Sequence, residues 1–162
     1  MEILICLITI LSIAFLLHKY SYGFYKNKVL NSKKWDLNIC CGKTDGGGVN
    51  ADIYKHTDLS NFVLLDSIYN LPFKDKQFKN LLCSHTIEHV EYPDIFFREL
   101  DRVSDNVTLI IPPLWDISAM LNVFEHKWIF LSFRKKHSKL PSYIRLPFSY
   151  AIQRRFSQVN NA

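Results

Sequence analysis

The sequence predicts an α/β fold: a mostly parallel sheet, truncated toward its carboxyl end and preceded by a helix long enough to cross a membrane. Three observations carry this. Short apolar runs at Leu37–Cys40, Val49–Tyr54, Phe62–Asp66 and Phe78–Cys83 run out into Gly, Asp or His residues. Runs of that length without polar alternation read as strands buried on both faces, as in parallel sheets. A glycine-rich turn, holding Gly42, Gly46, Gly47 and Gly48, follows the first run. Ahead of them all, Ile3 to Leu17 is apolar apart from Thr9 and Ser12.

The chain divides into four segments: an anchor helix over 1–25, a basic juxtamembrane linker over 26–35, a domain over 36–133 and a basic, aromatic tail over 134–162. Extending the apolar stretch through Tyr25 gives enough residues to span a bilayer, with Tyr20, Tyr22 and Tyr25 at one interface. A cleaved signal peptide fits less well, because the only early charge is Glu2 and no A-x-A site follows. A buried core helix is the bland competitor. Lys19, Lys26, Lys28, Lys33 and Lys34 follow the span with no acid among them, which marks the cytoplasmic side and makes the protein single-pass with its domain inside. Eight basic residues and no acid lie from Lys127 onward. The formal charge of +5 therefore hides a net acidic domain between basic flanks, an arrangement suited to an anionic lipid face. Nucleic acid would attract the same tail but is the less favoured partner.

With 162 residues and 14% aromatics, the chain supports one modest core, which excludes wholesale disorder. Its four cysteines, Cys6, Cys40, Cys41 and Cys83, form no C-x-x-C pair, so neither a zinc knuckle nor a dithiol redox motif is present. Reduced, buried thiols suit a cytosolic domain.

Candidate ligand-binding groups gather where the strands end, the usual site in open α/β sheets. Glycines after the first strand let backbone N–H groups approach a ligand without a Cβ clash. Gly42-Lys43-Thr44 is not a phosphate loop, since that motif needs a glycine where Leu37 stands. Asp52 and Asp66 each close a strand, where an acid can accept from ribose or base donors. Ser84, His85, Glu88 and His89 close the fourth. His85-Thr86-Ile87-Glu88-His89 matches H-x-x-E-H, a zinc-hydrolase motif. That site needs both histidines on one face of a continuous helix and a third ligand. A strand ends just before His85, Pro93 follows closely, and only Glu125 and His126 offer themselves as further ligands. No metal site is therefore expected.

The stretch Leu37–Pro113 resembles the class I S-adenosylmethionine-dependent methyltransferases, in particular their small type-11 group. The matching residues are Leu37, Asn38, Cys41, Gly42, Lys43, Asn50 and Asp52, then Asp66, Leu71, Pro72, Phe73 and Phe78, then Ser84, His85, Glu88 and His89. The resemblance implies a Rossmann-like methyltransferase sheet with S-adenosyl-L-methionine as cofactor. By the same resemblance Asn38, Cys40, Cys41 and Gly42 line the methionine end, Asp52 takes the ribose, and Asp66, Ser67 and Ile68 surround the adenine. Ser84 and His85 face the methyl donor, and Glu88 and His89 start the next helix on the acceptor side, with His85 and His89 the candidate catalytic groups. Two departures stand out: the family often has an acid where Asn38 stands and glycine where Cys40 stands. The expected activity is methyl transfer to an unidentified, membrane-borne acceptor. A non-catalytic cofactor-binding module is the alternative, and a zinc hydrolase a remote second.

The expected first crossover, only eight residues between Cys40 and Val49, leaves no room for a full helix. A helix is expected over Asp94–Val103, with Asp94 as cap and Ile95, Phe96, Leu100 and Val103 inward, then a strand over Val107–Ile111 stopped by Pro112-Pro113. Ile117–Phe133 shows apolar residues at Ile117, Met120, Leu121, Phe124, Trp128 and Leu131, the spacing of a core helix. One further strand is expected at Tyr143–Tyr150, leaving the sheet incomplete.

Overall fold

Glu2–Leu30 form one continuous helix in the computed structural model, which describes residues 1–156. It comprises α1 (Glu2–His18), a π-helical stretch (Lys19–Tyr25) and α2 (Lys26–Leu30). No residue of α1 is buried, and an 18-residue window has mean hydropathy 2.1, long and apolar enough to cross a membrane. The stretch expected as a linker thus begins as helix. Val29 of α2 packs on Trp35, Leu82 and Ile110.

The strands then follow in the order the apolar runs set: β1 (Leu37–Ile39), β2 (Val49–Asp52), β3 (Phe62–Leu64), β4 (Phe78–Ser84) and β5 (Ser104–Ile110). They pair in parallel as β3-β2-β1-β4-β5, with Asn38 between Asn50 and Leu82. This order, running outward both ways from β1, places the switch point between β1 and β4, where open α/β sheets bind ligands.

Alternation along the strands builds two unlike faces. One carries Leu37, Ile39, Ala51, Leu81, Cys83 and Leu109 and is covered by helix α3 (Pro93–Val103). Pro93 starts α3, since its missing N–H costs nothing in the first turn. Phe96, Leu100 and Val103 lie on one stripe and are fully buried, at roughly 2 kcal/mol each. Ile95 stays out, 39% exposed, because it lies off that stripe. Asp94 sits inside the first turn, not at the cap, and its carboxylate accepts from the Tyr143 hydroxyl.

The opposite face is apolar only under α2. At β1 and β2 it presents Asn38 and Asn50, and the loop 40–48 folds over them in place of a helix. Short strands make this possible: three residues rise only about 10 Å, a distance nine residues easily retrace. The segments joining β2 to β3 and β3 to β4 also lack helices, so α3 is the one full crossover helix among the described residues.

The carboxyl region departs from expectation. The helix expected over Ile117–Phe133 stops at Met120 (α4, Ile117–Met120), and the chain turns through Asn122 into β6 (Trp128–Phe130). Asn competes with helix by side-chain bonding, and Trp-Ile-Phe suits a strand. Ile117, Leu121, Phe124 and Leu131 are about half exposed, so the stripe is not core. β7 (Lys136–His137) pairs antiparallel with β5 and closes that sheet edge, which the sequence had left open. β8 (Tyr143–Arg145) pairs antiparallel with β6 in a separate ribbon, shorter than the strand expected. Helix α5 (Ser149–Arg155) follows, and the end of the expected tail, 157–162, lies outside the described residues. Lys127 and Lys135, counted from the sequence as surface charge, are buried.

Candidate functional site

The glycine turn is held by polar side chains beneath it. Asn38 Nδ2 donates to Thr44 O at 2.7 Å and to Asn50 Oδ1 at 3.2 Å. Asn50 Oδ1 accepts from Gly46 N at 2.9 Å, and Asn50 Nδ2 donates to Asp45 Oδ1 at 2.9 Å. Close packing dictates glycine here: a Cβ on Gly46 would lie 2.6 Å from Asn38 Cβ, and one on Gly48 2.3 Å from the Trp35 carbonyl oxygen. Asn38, read as a cofactor contact, thus spends its donors on the turn.

The turn then opens toward the sheet's carboxyl edge. Gly42, at φ +57°, would meet nothing within 4 Å with a Cβ, so space lies above it. Its N–H donates to Asp52 Oδ2 at 2.8 Å, and Asp52 Oδ1 accepts weakly from Tyr54 N at 3.4 Å. Asp52 is buried, yet a carboxylate can accept about four bonds, so capacity remains. Cys40 adopts φ +51°, the left-handed conformation that favours the glycine family members often carry. Burial pushes the Cys40 and Cys83 thiols well up and the Cys41 thiol to about 11, so none is a nucleophile at neutral pH.

A cavity of about 340 Å³ lies over this turn, within the ordinary range for small-molecule sites. Asn38, Cys40, Cys41 and Gly42 line one side, and Ser84 and His85 another. Ser84 Oγ is buried without a partner, a polar group in want of a ligand. The roof comes from the amino-terminal helix: Tyr22, Lys26 and Leu30, four residues apart and so on one helical face. Their spacing was legible in the sequence but was read as linker and membrane interface. Asp66 is exposed at the end of β3, Ser67 Oγ accepts from Tyr69 N at 3.1 Å, and Ile68 is in the core. These three lie outside the cavity.

A second cavity, about 330 Å³, adjoins the first. His18, His89, Ser118, Asn122, Glu125 and His126 line it, and Tyr22 and His85 line both cavities and so stand between them. The Tyr22 and His85 rings are 4.9 Å apart. His85 also has a positive φ, +54°, which turns it from the end of β4 toward the partition. Residues 85–91 form turns, so Glu88 and His89 do not start a helix; α3 waits for Pro93. Burial lowers the His85 pKa while nearby Glu88 opposes that, leaving the neutral imidazole favoured.

The helix meets the domain through buried polar pairs that no local motif announced. His18 Nδ1 lies 3.2 Å from Asp116 Oδ1, and Lys135 Nζ donates to Ser21 Oγ at 2.7 Å. Desolvation lowers the Lys135 pKa to about 8 against the pull of Asp116 and Glu88.

Residues 49–109, under half of the chain, match the family model described as a methyltransferase domain. That match covers β2 through most of β5 of a parallel sheet ordered 3-2-1-4-5. Over that stretch the chain is similar to a methyltransferase domain. Solved structures similar to this chain include a Thermotoga maritima SAM-dependent methyltransferase, at 19% identity and TM-score 0.44, covering 65% of this chain and 58% of that one. Another is a methyltransferase in complex with the Haloferax volcanii Trm112 methyltransferase activator, at 14% identity and TM-score 0.42, covering 56% and 53%. A SAM-dependent methyltransferase from Aquifex aeolicus aligns at 19% identity and TM-score 0.42, covering 61% and 71%. The chain spans little more than half the length of the first two. No curated protein matches it.

Proposed function

We propose that this chain is a membrane-tethered S-adenosyl-L-methionine-dependent methyltransferase acting on a membrane-borne acceptor. The observation that carries it is the pair of adjoining cavities sharing His85 and Tyr22 as their wall. Methyl transfer needs a donor and an acceptor aligned across one boundary and screened from water. The bound cofactor supplies a sulfonium methyl group already activated for displacement.

In this reading the backbone at Cys40, Cys41 and Gly42 holds the methionine end and Ser84 lies near the donor. Asp52 takes the ribose hydroxyls with the capacity Gly42 and Tyr54 leave. The adenine extends out of the cavity toward exposed Asp66, while Ser67, engaged with Tyr69 N, and Ile68, in the core, make no contact with it. The acceptor enters the second cavity, where His89 helps to orient it. His85 would receive the proton that the acceptor gives up when it takes the methyl group. Its neutral form suits that task. Tyr22, Lys26 and Leu30 close the donor cavity, so the tether is part of the site.

The exposed apolar α1 supports the membrane assignment, since lipid is the medium that covers such a surface. The lysines after it support a domain on the cytoplasmic side, against an anionic face. The non-catalytic alternative draws on the strained Cys40 and on Asn38, whose donors are already engaged.

The test is a calorimetric titration of the full chain in lipid nanodiscs with the cofactor, followed by a radiolabelled transfer screen. Label should enter a lipid or quinone extract. Binding without turnover would favour the module, modification of RNA alone would overturn the membrane acceptor, and absence of binding would end the methyltransferase reading.

A further inference from the structure

The second cavity contains a cluster of which methyl transfer uses only His89. Glu88, His89 and His126 each place one ligand atom within 4.8 Å of the others. Ligands at about 2.0–2.1 Å from a tetrahedral ion sit about 3.4 Å apart, so a movement of about 1 Å would close the set. From these residues we propose a binding site for a divalent transition-metal ion.

Glu88 is completely buried, and neither carboxylate oxygen has a hydrogen-bond partner. His85 Nδ1 is 3.3 Å from Oε1 but outside hydrogen-bonding geometry. With only the neutral-leaning His85 ring beside it, this buried carboxylate is under-compensated, and a cation is the group that would offset its burial. His126 Nδ1 is likewise buried and unpartnered. His89 is already oriented as a ligand: its Nδ1 lies 3.0 Å from the Glu125 carbonyl oxygen. Donation there leaves the Nε2 lone pair free, the usual outer-shell device of metal-bound histidine.

The backbone holds the three together although they come from two separate loops, Glu88 and His89 from one and His126 from the other. Lys127 N donates to Glu88 O at 2.8 Å, which fixes His126 beside Glu88, and Gln153 Nε2 donates to His126 O at 3.0 Å. Two imidazoles and one carboxylate select zinc or iron(II) over calcium or magnesium, which prefer oxygen donors throughout. Ser118, Asn122 and His18 line the same cavity and would border a fourth ligand. This is not the helical zinc motif weighed from the sequence, since 85–89 is not helical and the third ligand is His126. The site stands whether or not the chain transfers methyl groups.

The test uses the full chain in nanodiscs, stripped with chelator and titrated with Zn²⁺ and separately Co²⁺. One equivalent should bind, and Co²⁺ should give the intense visible absorption of a four-coordinate site. His126→Ala and His89→Ala should each weaken Zn²⁺ by about 100-fold or more, above the range for outer-shell changes. His137→Ala, away from the cluster, should leave it unchanged. The proposal is overturned if wild type takes up far less than one equivalent, if Co²⁺ gives only the pale spectrum of the hydrated ion, or if folded His126→Ala binds as wild type does.

Discussion

The two adjoining cavities are built in opposite ways. The one over the glycine turn has a floor of backbone: Gly42 at φ +57°, supported from below by the Gly46 and Gly48 close approaches and by amides that Asn50 and Asp52 organise. The other is made of side chains from four distant stretches, around His18, His85–His89, Asp116–Asn122 and His126. The first should therefore fail when space is filled. The second should respond to charge and protonation.

The largest expected effect is on the backbone-built side. Gly48→Ala puts a Cβ 2.3 Å from the Trp35 carbonyl oxygen and 2.7 Å from that of Asp36. Both are main-chain atoms and cannot swing away, so β1 or the turn must shift. A loss of about 3–4 kcal/mol is expected in urea unfolding, with cofactor binding lost as well. A change below about 1 kcal/mol would mean the turn is soft, and the contrast between the cavities would fail.

Next comes the junction beside the second cavity. The Lys135 pKa is lowered to about 8 from 10.5, chiefly by desolvation. Between those values the unfolded chain holds the proton that the folded chain has released, so stability rises with pH there. The contribution is about 3 kcal/mol across the window. It should appear as the difference between wild type and Lys135→Met in melting curves from pH 7 to 10.5, because the buried thiols act in the opposite sense in both. Parallel curves for the two proteins would remove Lys135 from the account.

Asp52→Asn probes the buried carboxylate that holds the Gly42 amide at the cavity's edge without lining it. It keeps one acceptor for the Gly42 N–H at 2.8 Å but removes the charge. If Asp52 also holds the ribose, cofactor affinity should fall about 10–100-fold by calorimetry, the worth of a charge-assisted bond or two. Unchanged affinity would place the ribose elsewhere.

The same contrast explains what the sequence disclosed. β1 to β5 were legible because buried parallel strands need unbroken apolar runs. The glycine turn was legible because close backbone approach demands Gly at particular positions. The second cavity left no local trace: Glu88 meets His126 through a main-chain bond across 39 residues of sequence, from Lys127 N to Glu88 O. β7, two residues of Lys and His, lacks any strand signal and exists only because β5 offers an edge. Ile117–Phe133 misled because its apolar residues have helical spacing yet half of that stripe faces outward, where spacing no longer reports a core. Tyr22, Lys26 and Leu30 had the right spacing, but lysine on that face read as solvated linker.

The smallest effect sharpens the comparison most, because it acts on the backbone alone. Cys40 sits at φ +51°, where a side chain costs about 1–2 kcal/mol relative to the right-handed region. Glycine removes that strain but adds about 0.5–1 kcal/mol of unfolded-state entropy, and the half-buried thiol loses its packing. Cys40→Gly should therefore change stability by no more than about 1 kcal/mol, with stabilisation the expected sign if strain is the largest of the three. The thiol, held neutral by burial, contributes no chemistry that glycine would lose. Cofactor affinity should hold or improve, since the freed space adjoins the Gly42 amide. A marked fall in affinity with stability intact would show that the sulfur itself touches the ligand, and the cavity would then be less purely backbone-built than its neighbour is side-chain-built.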